Sequence, residues 1–284
     1  MHKVIPIIAS VGLMLTLSAR AQNDVEAELK ASSDEHMREE LGVNPVTSPS
    51  IATLLNDLEA FRPAPLKLLD ATSRETSFNN RLQTALHFGS LVADGFILTI
   101  AERPKDVQDV GKELIRQARA LGIGERLTKR SKSLLDLSDK GDWIGMRQEL
   151  VRTQEDVENT MMELRDEEMA HMVSLGGWLR GFQVGTTSTA EKYTPAKADI
   201  LAKADVIDYF IDRLETLNPE LKQTEMVTTL VEGIKKIRLV LIETQGVTPT
   251  EAQVAKLKKL ADEAHAIATA RVDEEGRFTK SPNP

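Results

Sequence analysis

Glu168 and His171 stand three residues apart in the stretch "ELRDEEMAHM", residues 163–172. On a helix this spacing places both side chains on one face, where a carboxylate and an imidazole can share a proton or a metal ion. His87 and Asp94 form a second pair within "ALHFGSLVADGFILTI", residues 85–100. They are two helical turns apart, so they also share a face, with Leu91 between them. Two imidazoles and two carboxylates make a donor set suited to zinc, iron or manganese.

Two helices must bring these residues together. At about 100° per residue with Leu164 as origin, Glu168 falls near 40°, His171 near −20° and Leu175 near 20°. They lie on a seam that reads Trp143, Met146, Leu150, Val157, Met161, Leu164, Leu175 and Phe182. The seam predicts one long helix over 143–180 with both polar residues turned inward. Within the segment 75–101, the stretch 85–100 is apolar on every side and has Asp94 as its one formal charge. Such a helix belongs in the centre of a bundle. If the two helices meet, Asp94 faces His171 and His87 faces Glu168. The four then either bind a metal or form buried pairs that set helix register, with Arg165, Arg180 or a water as further partners.

The Glu-x-x-His pattern is similar to half of what ferritin-like bundles use to hold two metal ions. That family has two such helices and a Glu from each of two others. Here Asp262-Glu-Ala-His265 only approximates the second motif, on the flank of another helix's apolar stripe. A di-metal centre is therefore not supported by the residues present. No Gly-x-Ser-x-Gly, phosphate-loop, His-Glu-x-x-His or dinucleotide-binding pattern occurs. Of the five His, His2 and His36 precede the main body, so general bases are few. No enzymatic activity is assigned. Met161 and Met172 read as core; Met162 and Met169 read as meeting another helix or a partner.

Composition bounds the rest. The 284 residues are 41% hydrophobic, 28% charged and only 4% aromatic, rich in Ala, Leu, Glu and Lys, which points to an all-α chain. Without a single Cys, disulfides, thiolate metal sites and cysteine nucleophiles are excluded. Residues 1–21 join a basic start, a short apolar run and Ala19-Arg20-Ala21, the pattern of a signal peptide cleaved before Gln22. The run is shorter than the ~20 residues that span a bilayer, so no stable membrane span is expected after cleavage. The net charge of −8 argues against nucleic acid. Basic groups such as "KRSK", 129–132, have acidic neighbours and read as solvated helix faces.

Breakers and caps divide the chain. A polar segment and linker cover 22–50, and a short helix follows at 51–61. Thr72-Ser-Arg-Glu75 reads as a capping box opening the central helix. Pro104 opens the next helix and "GIG", 122–124, ends it; a shorter one runs to Gly141, and Asp142 caps the helix from Trp143. "GGWLRGFQVGTTSTAEKY", 176–193, reads as a polar connection, with its first two glycines also suited to close helix contact. It separates a bundle over 51–187 from a three-helix unit over 194–272. Thr194-Pro195, Asn218-Pro219 and the box Thr248-Pro-Thr-Glu251 start that unit's helices, and 273–284 reads as a loose tail.

The expected fold is an all-α helical bundle of six to nine helices, in one body or two packed subdomains. The expected role is an exported helical binding or scaffolding protein of the periplasm or cell envelope, with a protein partner there, no nucleic acid and no cofactor. Binding predicts an exposed apolar groove between the two helical parts. The alternative is a metal-binding bundle or metalloenzyme that holds a divalent ion through His87, Asp94, Glu168 and His171.

Overall fold

The computed structural model describes residues 57–70, 78, 80–164, 166–244 and 246–280. The signal pattern, the polar segment, most of the helix at 51–61, the Thr72–Glu75 box, Arg165 and the last four residues lie outside the described residues. All regular elements among the described residues are helices: α1 (Lys67–Asp70), α2 (Arg81–Ile100), α3 (Pro104–Ala120), α4 (Gly124–Lys140), α5 (Trp143–Glu163), α6 (Glu167–Glu191), α7 (Pro195–Leu201), α8 (Ala204–Glu215), α9 (Pro219–Lys222), α10 (Glu225–Glu243) and α11 (Glu251–Thr269). The fold is an all-α bundle.

Local chemistry accounts for most boundaries. Asn80 accepts from the Gln83 amide and opens α2, six residues after the start expected from the sequence. Asp142 accepts from Gly145 N at 2.9 Å and opens α5. Thr194 caps α7 with Pro195 at its first position, and Thr224 caps α10. Each cap satisfies an N–H that the helix leaves free. Gly141 closes α4 at φ 65°, a left-handed conformation that suits glycine. The last capping box is Thr250 with Gln253, two residues beyond the Thr248–Glu251 box read from the sequence.

Several expected elements differ. The helix over 143–180 is two helices, α5 and α6, parted at 164–166. Asp166 stands at the α6 N-cap, and Glu167 and Glu168 fill its first turn, where the helix dipole favours negative charge. The break resets the helical phase, so Leu164, taken as the inward origin, is 52% exposed. The connection expected over 176–193 is mostly α6 itself. There Thr186 and Thr189 return their hydroxyls to the carbonyls of Phe182 and Gly185, which lets polar residues sit in a buried helix. The helix that Thr194-Pro195 opens ends at Leu201, and α8 follows from Ala204. The tail is tied down over 271–280. Met226 N donates to Gly276 O and Phe278 N to Glu225 Oε2, and Val272 bridges Phe278.

Three helices carry the centre. α2 and α6 run parallel, since Arg81 pairs with Asp166 near their starts and Asp94 with Arg180 further along. They approach backbone to backbone: a Cβ at Gly176 would stand 1.9 Å from Leu86 O, and one at Gly89 equally close to Val173 O. α11 runs against both, with Gln83 donating to Ala270 O and Gln183 to Asp262. Its stripe of Val254, Leu257, Ala261 and Ala264 is wholly buried. α3 to α5 cover the remaining face of α2, while α8 and α10 extend the packing beyond α6 and α11. One core cluster thus draws side chains from both segments that the sequence separates.

Candidate functional site

The four residues singled out for metal chemistry go to separate partners. Asp94 receives Arg180 Nε at 2.6 Å, with both side chains buried. Arg180 is one of the two arginines expected as its alternative partner. Glu168 instead holds the turn before α9, accepting from Asn218 N at 2.7 Å and Asn218 Nδ2 at 2.9 Å. Asn218 in turn accepts from Leu221 N, so Glu168 steadies a helix start. The ring of His171 is 3.1 Å from the Tyr209 hydroxyl through Nδ1. His87 is buried on α2, edge-on to Phe78. The facings Asp94–His171 and His87–Glu168 are not formed. Among the described residues no three His, Cys, Asp or Glu side chains converge as a metal would require.

Asp94 belongs to a longer polar chain. Arg180 Nη1 donates to Gln183 Oε1 at 2.6 Å and Nη2 to Leu68 O at 3.0 Å. Gln183 donates on to Asp262 Oδ1 at 2.8 Å, whose other oxygen receives Lys258 at 2.7 Å. α1, α2, α6 and α11 are thereby linked through a buried guanidinium. His265, three residues after Asp262 on α11, is buried close by. Burial, then the charges of Arg180 and His87, hold its pKa well below the usual histidine value. His171 is similarly depressed to about 4, by burial and then by Arg213, whose guanidinium also lies 5.5 Å from the Tyr209 ring centre. Both imidazoles are therefore neutral near pH 7. Sequence reasoning singled out Asp94 and noted Asp262 and His265 only as an approximate second motif; Gln183 and Tyr209 carried no signal of their own.

The opposite face of α2 borders a different environment. α2 to α6 enclose a cavity of about 100 Å³. Its walls include Phe88, Val92, Val110, Leu150, Val157 and Met161, and it reaches the surface beside Lys112 and Leu135. An apolar groove was expected between the two helical parts; this one lies within the first. Three wall residues stand out. Gly95 and Gly111 sit inside helices, where glycine is less stable than alanine by roughly 0.5–1 kcal/mol. A Cβ on Gly95 would make only an ordinary 3.7 Å contact with Val110, and one on Gly111 would meet nothing within 4 Å. Neither is required by packing. The third is Ser138: its residue is 3% exposed, and its Oγ has no hydrogen-bond partner among the described residues. A buried hydroxyl left unmatched costs stability, so such groups are uncommon. Of the other polar wall groups, Thr153 is engaged with Glu149 O and Gln108 with Asp139.

Known protein families, curated proteins and solved structures yield no match to this chain. Among the described residues no helix is long and apolar enough to cross a membrane.

Proposed function

We propose that this is an exported helical binding protein of the cell envelope, and that its ligand is an apolar small molecule held in the cavity between α2 and α6. The observation that carries the reading is the wall itself: two helix-interior glycines that keep space open at a cost in helix stability, with neither a turn nor a close contact to require them. Apolar walls make burial of a hydrocarbon favourable at about 25 cal/mol per Å² removed from water. The export part rests on the pattern of residues 1–21 and on the absence of Cys.

The test uses the purified protein in buffer saturated with hexane, followed by methyl NMR. Shifts at Val107, Val110, Leu150 and Val157 are expected, and Gly111→Leu, whose side chain enters the cavity, should abolish them without lowering the melting temperature. Hexane that perturbs none of these methyls, or perturbs them equally in Gly111→Leu, would sink the reading.

A further inference from the structure

We infer that the ligand is a hydrocarbon bearing one uncharged oxygen group, and that Ser138 Oγ bonds that oxygen inside the cavity. The inference rests on the cavity's being a ligand site and adds the ligand's chemical class.

The walls set the body of the ligand. They are formed by apolar side chains such as Phe88, Val92, Val110 and Leu150, so the part of the ligand they hold is hydrocarbon. Wall chemistry sets the head. Ser138 is buried on α4 beside the wall residues Leu134 and Leu135, with Oγ unmatched among the described residues. A hydroxyl both donates and accepts one bond of this kind, so it can satisfy an alcohol, an ether or a carbonyl oxygen equally well. A carboxylate or an ammonium requires several partners or an opposite charge when removed from water. Among the described wall residues the only charged side chain is Lys112. It lies on the exposed rim, 72% accessible, and its Nζ is 3.0 Å from Asp109. A charged head would have to remain there, leaving Ser138 unmatched below it.

Hexane, hexanol and hexanoate share a chain and differ only at the head, and Ser138→Ala removes only the proposed hydrogen bond. Affinities are read by NMR titration for the purified protein and for Ser138→Ala. The expected result is that hexanol weakens about five-fold or more in the variant, the size of one lost hydrogen bond. Hexane should bind both forms alike, and hexanoate should bind more weakly than hexanol. The variant should melt no lower than the parent, since its lost hydroxyl has no partner among the described residues to abandon. Equal hexanol affinity in both forms would overturn the role of Ser138. Hexanoate binding tighter than hexanol, with the advantage removed by Lys112→Ala, would overturn the uncharged head. Either result would leave hexane binding intact, whereas failure of hexane itself strikes the cavity reading beneath both.

Discussion

Gly89 and Gly95 belong to the same helix and serve opposite ends. At Gly89 the α6 backbone lies so close that any side chain would strike Val173 O. At Gly95 a methyl group would fit in ordinary contact with Val110, beside open space. The first face joins α2 to α6 and to a polar chain in which Asp94, Arg180, Gln183 and Asp262 satisfy one another. The second face borders apolar walls and the hydroxyl of Ser138, unmatched among the described residues. The lesson is that an interior can be polar and closed or apolar and open, provided each charge finds its partner on the closed side. The polar face holds the bundle in register; the open face is the one to which we assign the proposed ligand.

The sharpest break in this contrast is Asp94→Ala. It leaves Arg180 buried beside a lost carboxylate and should destabilise the fold by about 3–5 kcal/mol. The double variant Asp94→Leu with Arg180→Met should regain most of that in urea denaturation, since both charges leave together. A double variant as unstable as the single one would show that the pair does more than neutralise itself.

Acid should act next. The His171 pKa is lowered in the fold, so the unfolded chain binds the extra proton as pH falls. Stability from the neutral ring is complete above about 6.5 and is lost as pH drops towards about 4. The full loss is about 3 kcal/mol, and His265 adds to it with the same sign. Denaturation curves across this range should be less steep in pH for His171→Gln than for the parent; parallel slopes would contradict the neutral, buried ring.

Smaller effects divide the two glycines by sign. Gly89→Ala should cost about 1–3 kcal/mol, because the backbone of α6 must move. Gly95→Ala should stabilise by roughly 0.5–1 kcal/mol through helix propensity alone. Melting temperatures that move in the same direction for both would erase the distinction between a packed face and an open one.

Sequence periodicity and caps carried much of the architecture. The all-round apolar character of 85–100 placed α2 at the centre, because a helix without a polar face has nowhere else to go. Pro104, Asp142, Thr194 and Gly141 marked helix ends through local hydrogen bonding and backbone preference, both of which act within a few residues. The break before α6 was also written locally, in Asp166-Glu167-Glu168, yet it was masked by an apolar seam that seemed to run through it. Once the phase was carried across that break, the facings of Glu168 and His171 could not be right.

Residue types alone determined that the chain is helical, that cysteine chemistry is absent and that Asp94 needs a partner in the core. Only the tertiary structure decided that the partner is Arg180, that Glu168 steadies the turn at Asn218, and that Gly95, Gly111 and Ser138 share one cavity. The reason is distance along the chain. Caps and stripes are contacts among near neighbours, while partner choice and empty space depend on how helices far apart in sequence are brought side by side, which no local pattern records.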